Sequence, residues 1–342
     1  MPDLFKNIPE NLFRNETALD PNFTPKKIQF RESENEYIAT CIKPLFQKIS
    51  GKNLLIYGFP GIGKTLACKL ILNELEETTD DILAFYINCW KKSSKHQIVL
   101  ELCNQLNYKF TQNKNTDELF EVIKQKINQK SAVFIFDEAD KAESLEILYN
   151  IAEEIYHKTI ILITNDNSWI YNLDSRIKSR LTLESLQFKP YSLQETLEIL
   201  KSRLKLAFPV RTFKLESIDL IAKKTFEFQD LRIGLFLLKE SAYLAEKSDF
   251  ILQEHVQEAI KKIKKFQKPV QLDEEESQIL DIIKQNQDKT TGEIFRIYNE
   301  LTKKTERTFQ RKLKSLEDSN IVALERAKGV GKSYKIKKLT EF

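Results

Sequence analysis

Apolar residues along this chain fall into two rhythms. Between about residues 54 and 187, short apolar, strand-like runs occur at 53–57, 83–88, 132–136, 159–164 and 182–188. Between them, at 97–106, 117–129 and 144–156, apolar positions recur every three or four residues. The strand-like runs predict strands of a buried sheet, and the 3.6-residue period predicts helices with one apolar stripe. Their alternation predicts a parallel sheet with helices on both faces. From 191 to 266 the strand-like runs stop and four helical patterns follow, at 193–206, 215–226, 231–245 and 253–266, which predicts a small all-α domain. Lys268-Pro269 ends the last of these helices. The remainder, 273–342, reads as three short helices and a two-stranded ribbon around Lys328-Gly329-Val330-Gly331-Lys332. The expected domains are therefore 1–189, 190–268 and 269–342.

Composition narrows the picture only a little. The 342 residues are 41 % apolar and 30 % charged, an ordinary globular balance. The apolar runs are strand-length and far too short to cross a bilayer. Met1-Pro2-Asp3-Leu4-Phe5-Lys6 lacks the basic and apolar regions of a secretion signal, so a cytoplasmic protein with no membrane partner is expected. Cys41, Cys68, Cys89 and Cys103 form no C-x-x-C pair, and the chain has only three histidines. That pattern argues against a zinc site or a disulfide framework and for buried, reduced thiols.

Chemistry enters at Gly58-Phe59-Pro60-Gly61-Ile62-Gly63-Lys64-Thr65, which fits G-x-x-x-x-G-K-[ST] between the first apolar run and a helical pattern at 65–75. In that context the string predicts a phosphate-binding loop. Glycines let successive N–H groups turn toward an anion, and the following helix N-terminus adds its partial positive charge. Lys64 is placed to meet the β- and γ-phosphates of ATP, and the Thr65 hydroxyl to ligate Mg²⁺. A glycine turn before a helix is the bland alternative. The run Val133-Phe134-Ile135-Phe136 ends in Asp137-Glu138, at the strand end where open α/β sheets bind ligands. Asp137 is expected to hold Mg²⁺ and Glu138 to orient or deprotonate the attacking water. Asp137-Glu138-Ala139-Asp140 also spells a helicase string, but no second motor domain accompanies it. Asn165, closing the next apolar run, can bond the γ-phosphate or the attacking water, although Asn-Asp is also common turn chemistry. Arg176 and Arg180 follow; either can neutralise a γ-phosphate across a subunit boundary or form an exposed ion pair.

The order of phosphate loop, Asp-Glu strand, Asn-ended strand, Ser-Arg box and helical lid resembles that of AAA+ ATPases. Within them, the chain is similar over nearly its whole length to the archaeal origin-recognition initiators of the Orc/Cdc type. Asn15-Glu16-Thr17-Ala18-Leu19-Asp20-Pro21-Asn22-Phe23-Thr24-Pro25 and Phe30-Arg31-Glu32 resemble the family's N-terminal segment, which lies against adenine. Leu173-Asp174-Ser175-Arg176-Ile177-Lys178-Ser179-Arg180-Leu181 resembles its arginine box, in which the Ser-Arg-Leu alignment favours Arg180 as a finger acting in trans. Phe188-Lys189-Pro190-Tyr191 resembles the connection into the lid and makes Tyr191 a nucleotide contact. Gln229-Asp230-Leu231-Arg232 resembles the lid motif whose arginine touches the γ-phosphate, which implies that role for Arg232. Gln229 stands where the family usually has glycine, and Leu231 where it has a small residue. The resemblance implies the ATP- or ADP-bound, Mg²⁺-dependent cycle of an α/β P-loop AAA+ domain, an all-α lid and a C-terminal winged helix-turn-helix. It also places a DNA-contacting helical insertion near 108–127.

Positive charge gathers at the C-terminal end. Residues 303–338 hold twelve cations against four anions, whereas the whole chain is only +4. A helix over 305–318 would bury Phe309, Leu313 and Leu316 on one face and show Arg307, Arg311 and Lys314 on another. Lys304 and Thr308 flank that stripe, and Lys328, Lys332 and Lys335 lie along the ribbon. A recognition helix in the major groove, with the ribbon on the backbone, would use residues so placed. The function expected is a replication initiator: an ATP-gated binder of duplex origin DNA that helps recruit the replicative helicase, self-associates on DNA and hydrolyses ATP slowly. Two readings compete with it. One is a signalling or defence-type NTPase whose last domain docks protein; the other is a clamp-loader-like ATPase subunit.

Overall fold

The structure, a computed structural model, describes residues 12–25, 27–209, 212–245, 248, 250–266, 273–286, 289–318, 322–326 and 334–338. It divides into two compact units, 1–262 and 263–342.

The first unit opens with an irregular segment and helix α1 (Glu32–Ile42), followed by β1 (Leu54–Tyr57), α2 (Lys64–Thr78), β2 (Ile82–Asn88), α3 (Lys95–Gln105) and α4 (Thr116–Ile127). Then come β3 (Ser131–Asp137), α5 (Glu146–Glu154), β4 (Lys158–Thr164), α6 (Ser175–Leu181) and β5 (Glu184–Gln187). Among the described residues the strands form one sheet, in the order β2-β3-β4-β1-β5, and every pairing is parallel. Helix α1 and the short α6 are additions to what periodicity predicted.

Why β3 and β4 are apolar at nearly every position is plain from the packing. Phe134, Phe136, Ile160 and Leu162 point into one core with α3, α4 and α5. Their neighbours Val133, Ile135, Ile161 and Ile163 point into the other, with α1 and α2. Successive side chains of a strand alternate between faces, so a sheet covered on both sides demands apolar residues at every position. All of β3 is buried, its terminal Asp137 included. Phe85 and Phe134, register partners on neighbouring strands, stack with ring centroids 5.0 Å apart. The four cysteines are free and buried, as expected.

The lid follows as α7 (Leu193–Ala207), α8 (Leu215–Phe228), α9 (Leu231–Leu244) and α10 (Gln253–Phe266). A capping box at Ser192 and Glu195 starts α7, and the Asp230 side chain caps α9. Gly234 lets α9 approach its neighbours closely: a Cβ there would meet Thr225 Oγ1 at 2.5 Å and Leu200 Cδ2 at 2.7 Å. The N-terminal segment packs on the lid. Arg14 and Asn15 donate their N–H groups to the Ala207 carbonyl, and Phe13 packs against Phe208 with the rings tilted.

In the second unit α11 (Glu274–Gln285), α12 (Thr291–Thr302) and α13 (Glu306–Asp318) precede an antiparallel pair, β6 (Val322–Arg326) and β7 (Tyr334–Lys338). Phe309, Leu313 and Leu316 of α13 are buried together with Ile279, Ile294, Tyr298, Val322 and Ile336. The face assignment made from i, i+4, i+7 spacing is the one observed. The predicted helix break at Lys268-Pro269 lies outside the described residues. No helix among the described residues is long and apolar enough to cross a membrane.

Candidate nucleotide site

The C-terminal ends of β1, β3 and β4 open toward the lid, where a cavity of about 440 Å³ lies between them. Pro60, Gly61, Gly63, Lys64 and Thr65 line its floor, Asp137, Glu138 and Asn165 one wall, and Tyr191, Leu231 and Arg232 the lid side. Pro21, Asn22, Lys27 and Ile28 of the N-terminal segment, with Arg203 and Leu206 of α7, complete it.

The loop's shape depends on positive φ. Gly58, Gly61 and Gly63 have φ of +150°, +70° and +95°, and Gly63 passes directly into α2. Such angles suit glycine, because any Cβ would clash with its own backbone. Lys64 is buried, and its Nζ donates to the carbonyls of Gly58 and Phe59 and to Asn165 Oδ1, each at 2.8 Å. Burial lowers its pKa to about 8, against the pull of nearby Asp137. Asn165 therefore meets the phosphate-loop lysine directly. Its position at the end of β4 makes that contact possible.

Thr65 Oγ1 donates to Asp137 Oδ2 at 2.7 Å, and Tyr86 Oη donates to the same oxygen at 2.7 Å. A hydroxyl beside a carboxylate is the pair of hard oxygen donors that suits Mg²⁺, which takes few protein ligands and keeps water or phosphate oxygens for the rest. The residues fit that ion. Glu138 follows in the left-handed region, φ +53°. Burial, then the charges of Asp137 and Asp140, raise its pKa above the ordinary carboxylate value. A carboxylate held more basic than usual beside the phosphate loop suits a group that takes a proton from water.

Some residues act differently from expectation. Gly58 and Ile62 do not line the cavity. The Gly58 carbonyl instead holds Lys64, while the Ile62 side chain is buried in the core and anchors the loop. Arg180 pairs with Glu153 at 2.5 Å and Arg176 with Asp174 at 2.9 Å, so within one chain both arginines are spent on neighbouring carboxylates. Tyr191 Oη lies 3.3 Å from where a Gly63 Cβ would stand, placing the ring against the loop.

Arg31 escaped sequence reasoning as a site residue. Buried, it donates to Tyr191 Oη (3.0 Å), the Lys189 carbonyl (2.6 Å), the Ile62 carbonyl (3.3 Å) and Glu34 (2.8 Å), with its guanidinium over the Tyr191 ring. One side chain thus ties the N-terminal segment to the phosphate loop and to the connection into the lid. Arg203 does similar work from α7, donating to the carbonyls of Ala18 and Phe23. The only hint in the sequence was that Arg31 sits inside a resembling string. Nothing marked Arg203 or Tyr86.

Residues 49–166 match the family described as AAA domain, and residues 197–261 the Cdc6 AAA+ ATPase-type lid domain. The ORC1-type DNA replication protein 2 of Methanothermobacter thermautotrophicus is 28 % identical over 329 residues, covering 90 % of this chain and 86 % of that one. The ORC1-type DNA replication protein 1 of Sulfurisphaera tokodaii is 30 % identical over 321 residues, covering 86 % of this chain and 79 % of its relative. The chain belongs to the ORC1-type DNA replication proteins. The solved structure of the Aeropyrum pernix Orc1 protein in complex with DNA superposes with a TM-score of 0.68 at 22 % identity, covering 98 % of this chain and 95 % of that one. The AAA+ sheet and helical lid are thus those of the family, and so is the nucleotide-binding ATPase class.

In this ORC1-type chain the departure at Gln229 has a visible consequence. Gln229 ends α8 with φ +52°, in the left-handed region that glycine adopts freely. A glutamine there costs about 1 kcal/mol relative to glycine. Leu231, the other departure, lines the cavity and packs against the core below it.

In the second unit Arg307, Arg311 and Lys314 are exposed on α13, and Thr308 is half-buried near Thr305. Lys304 is paired with Glu275 of α11, and Lys312 with Asp273. Lys304 is therefore less free than its place in the basic run suggested. Lys328 and Lys332 lie outside the described residues, and of Lys335 only the backbone, on β7, is described.

Proposed function

We propose that this ORC1-type chain is a replication initiator whose grip on duplex origin DNA is set by ATP or ADP in the cavity, with slow hydrolysis as the switch. Lys64 binds the β/γ-phosphates, Thr65 and Asp137 hold Mg²⁺, Glu138 activates water, and Asn165 and Arg232 sense the γ-phosphate. Mg²⁺ would neutralise charge on the phosphates, and everything else in this scheme is done by the chain's own side chains. The single observation that carries the reading is the convergence of these groups, from four elements, on one cavity closed by the lid. A γ-phosphate lost there removes partners of residues on both the sheet and the lid, so the two nucleotide states differ in lid contacts.

The second unit has the element order of a winged helix-turn-helix, and the exposed Arg307, Arg311 and Lys314 support α13 as its recognition helix, with the β6–β7 ribbon as the wing. The Aeropyrum pernix Orc1 relative was solved with DNA, which favours the same partner here. Recruitment of the replicative helicase, self-association on DNA, and Arg180 as a finger in trans belong to the same proposal. Arg180 would then exchange Glu153 for a neighbour's phosphate. Binding of labelled duplex DNA, titrated over salt with ATP, with ADP and with Lys64→Ala, tests the whole. Micromolar affinity with a steep salt slope that differs between ATP and ADP is expected; no binding at low salt overturns the DNA reading.

A further inference from the structure

Resting on the reading of Arg232 as the γ-phosphate sensor, we infer that Asp230 is a positioning residue that withholds Arg232 and thereby sets the preference between ATP and ADP. Asp230 does three things at once. Its Oδ1 caps α9 by accepting the Arg232 backbone N–H at 2.9 Å. Its two oxygens take the Arg232 side chain, with Nε at 2.9 and 3.0 Å and Nη2 on Oδ2. It also presses against the phosphate loop: a Cβ on Gly61 would lie 1.8 Å from Asp230 Oδ1. The neighbouring Leu231 N–H donates to the Gly61 carbonyl at 3.3 Å, so the start of α9 is seated on the loop itself.

The consequence follows from charge and donor count. A guanidinium has five N–H donors in a fixed fork. Here its Nε–Nη2 edge is committed to Asp230, and the ion pair is neutral overall. A third phosphate therefore meets an arginine that already holds an anion. The carboxylate also sits at the loop built for the phosphates. ADP, which lacks the γ-phosphate, does not compete for that edge. Asp230 is thus expected to weaken ATP more than ADP, narrowing the difference that the sensors can report.

The test is calorimetric titration of ATP and of ADP into the full chain, in the parent and in Asp230→Asn, Arg232→Ala and the double variant. Asparagine caps a helix as well as aspartate does but carries no charge; Asp230→Ser serves the same purpose if the asparagine variant does not fold. Asp230→Asn should raise the ratio of ATP to ADP affinity by roughly fivefold or more, a coupling of ordinary size. Arg232→Ala should lower that ratio. In the Arg232→Ala background the Asp230 change should no longer alter it. Equal losses for both nucleotides would reduce Asp230 to a cap and overturn the inference. So would a gain that persists without Arg232, because Asp230 would then act on the loop alone. If Arg232→Ala leaves the ratio at the parent value, it is the sensor reading that fails.

Discussion

The pH at which Lys64 loses its proton gives a quantitative handle on the phosphate loop. Buried among carbonyls, its pKa is lowered to about 8 from an ordinary 10.5. That difference corresponds to about 3 kcal/mol of disfavour toward the ammonium in the empty site. The sign follows. The folded chain holds this proton more weakly than the unfolded chain, so folding of the empty protein gains stability as pH rises from about 8 toward 10.5. Nucleotide binding runs the opposite way. The polyphosphate needs the ammonium, and its charge would draw the proton back on. Between pH 8 and the higher pKa of the liganded lysine, ATP affinity should fall by about tenfold per pH unit, and each binding event should take up close to one proton. A phosphate's own second ionisation, near pH 6, is complete well below this range and does not confuse it. Calorimetry at pH 7.5, 8.5 and 9.5, in pairs of buffers with different ionisation heats, measures affinity and proton uptake together. Lys64→Arg supplies the control, because its guanidinium stays charged and its profile should be flat. An affinity unchanged from pH 7.5 to 9.5, with no proton uptake in the parent, would refute the depressed pKa of Lys64 and its coupling to nucleotide binding.

Other outcomes follow from single contacts. Gly61→Ala forces a Cβ into a φ of +70° and against Asp230 Oδ1, so stability should drop by about 1–2 kcal/mol for the backbone alone. A melting temperature equal to the parent's would refute both the backbone strain at Gly61 and the seating of α9 on the loop. Glu138→Gln should keep ATP affinity while slowing hydrolysis by roughly 10²-fold or more, and an unchanged single-turnover rate removes Glu138 as the base. In the parent, hydrolysis should lose activity on the acid side at a pH above the ordinary carboxylate range. Asp140→Asn, which removes one of the charges raising Glu138, should move that limb to lower pH. Arg311→Glu should weaken matched duplex more than scrambled duplex, with ~1–3 kcal/mol of discrimination at stake. Substituting Lys328 or Lys332 should instead lower both affinities alike and reduce the salt slope by about 1 each. Equal binding by Arg311→Glu and the parent removes α13 as the reader.

Much of this protein was written in local pattern. Strands β1 to β4 were legible because a sheet buried on both faces requires apolar residues at consecutive positions, and few other structures do. The phosphate loop was legible because its φ angles admit glycine and little else. The face of α13 followed from periodicity, since Phe309, Leu313 and Leu316 lie one or two turns apart on any α-helix. Helix α6, only seven residues long, gave too short a window for a period to show. What only the tertiary structure decided is where long side chains finish. Arg31 reaches four partners, three of them more than thirty residues away in the sequence, and nothing in its local pattern distinguishes it from a solvated arginine. Asn165 meets Lys64 across a separation of 101 residues because β4 lies next to β1 in the sheet, an order that sequence does not display. Arg232 was singled out by its motif as a candidate, but its capture by Asp230, and the seating of both on Gly61, depend on how the lid closes over the loop. Sequence fixes which residues are charged and which helix face is apolar; charge pairing is settled by distances of 3 Å that exist only after folding.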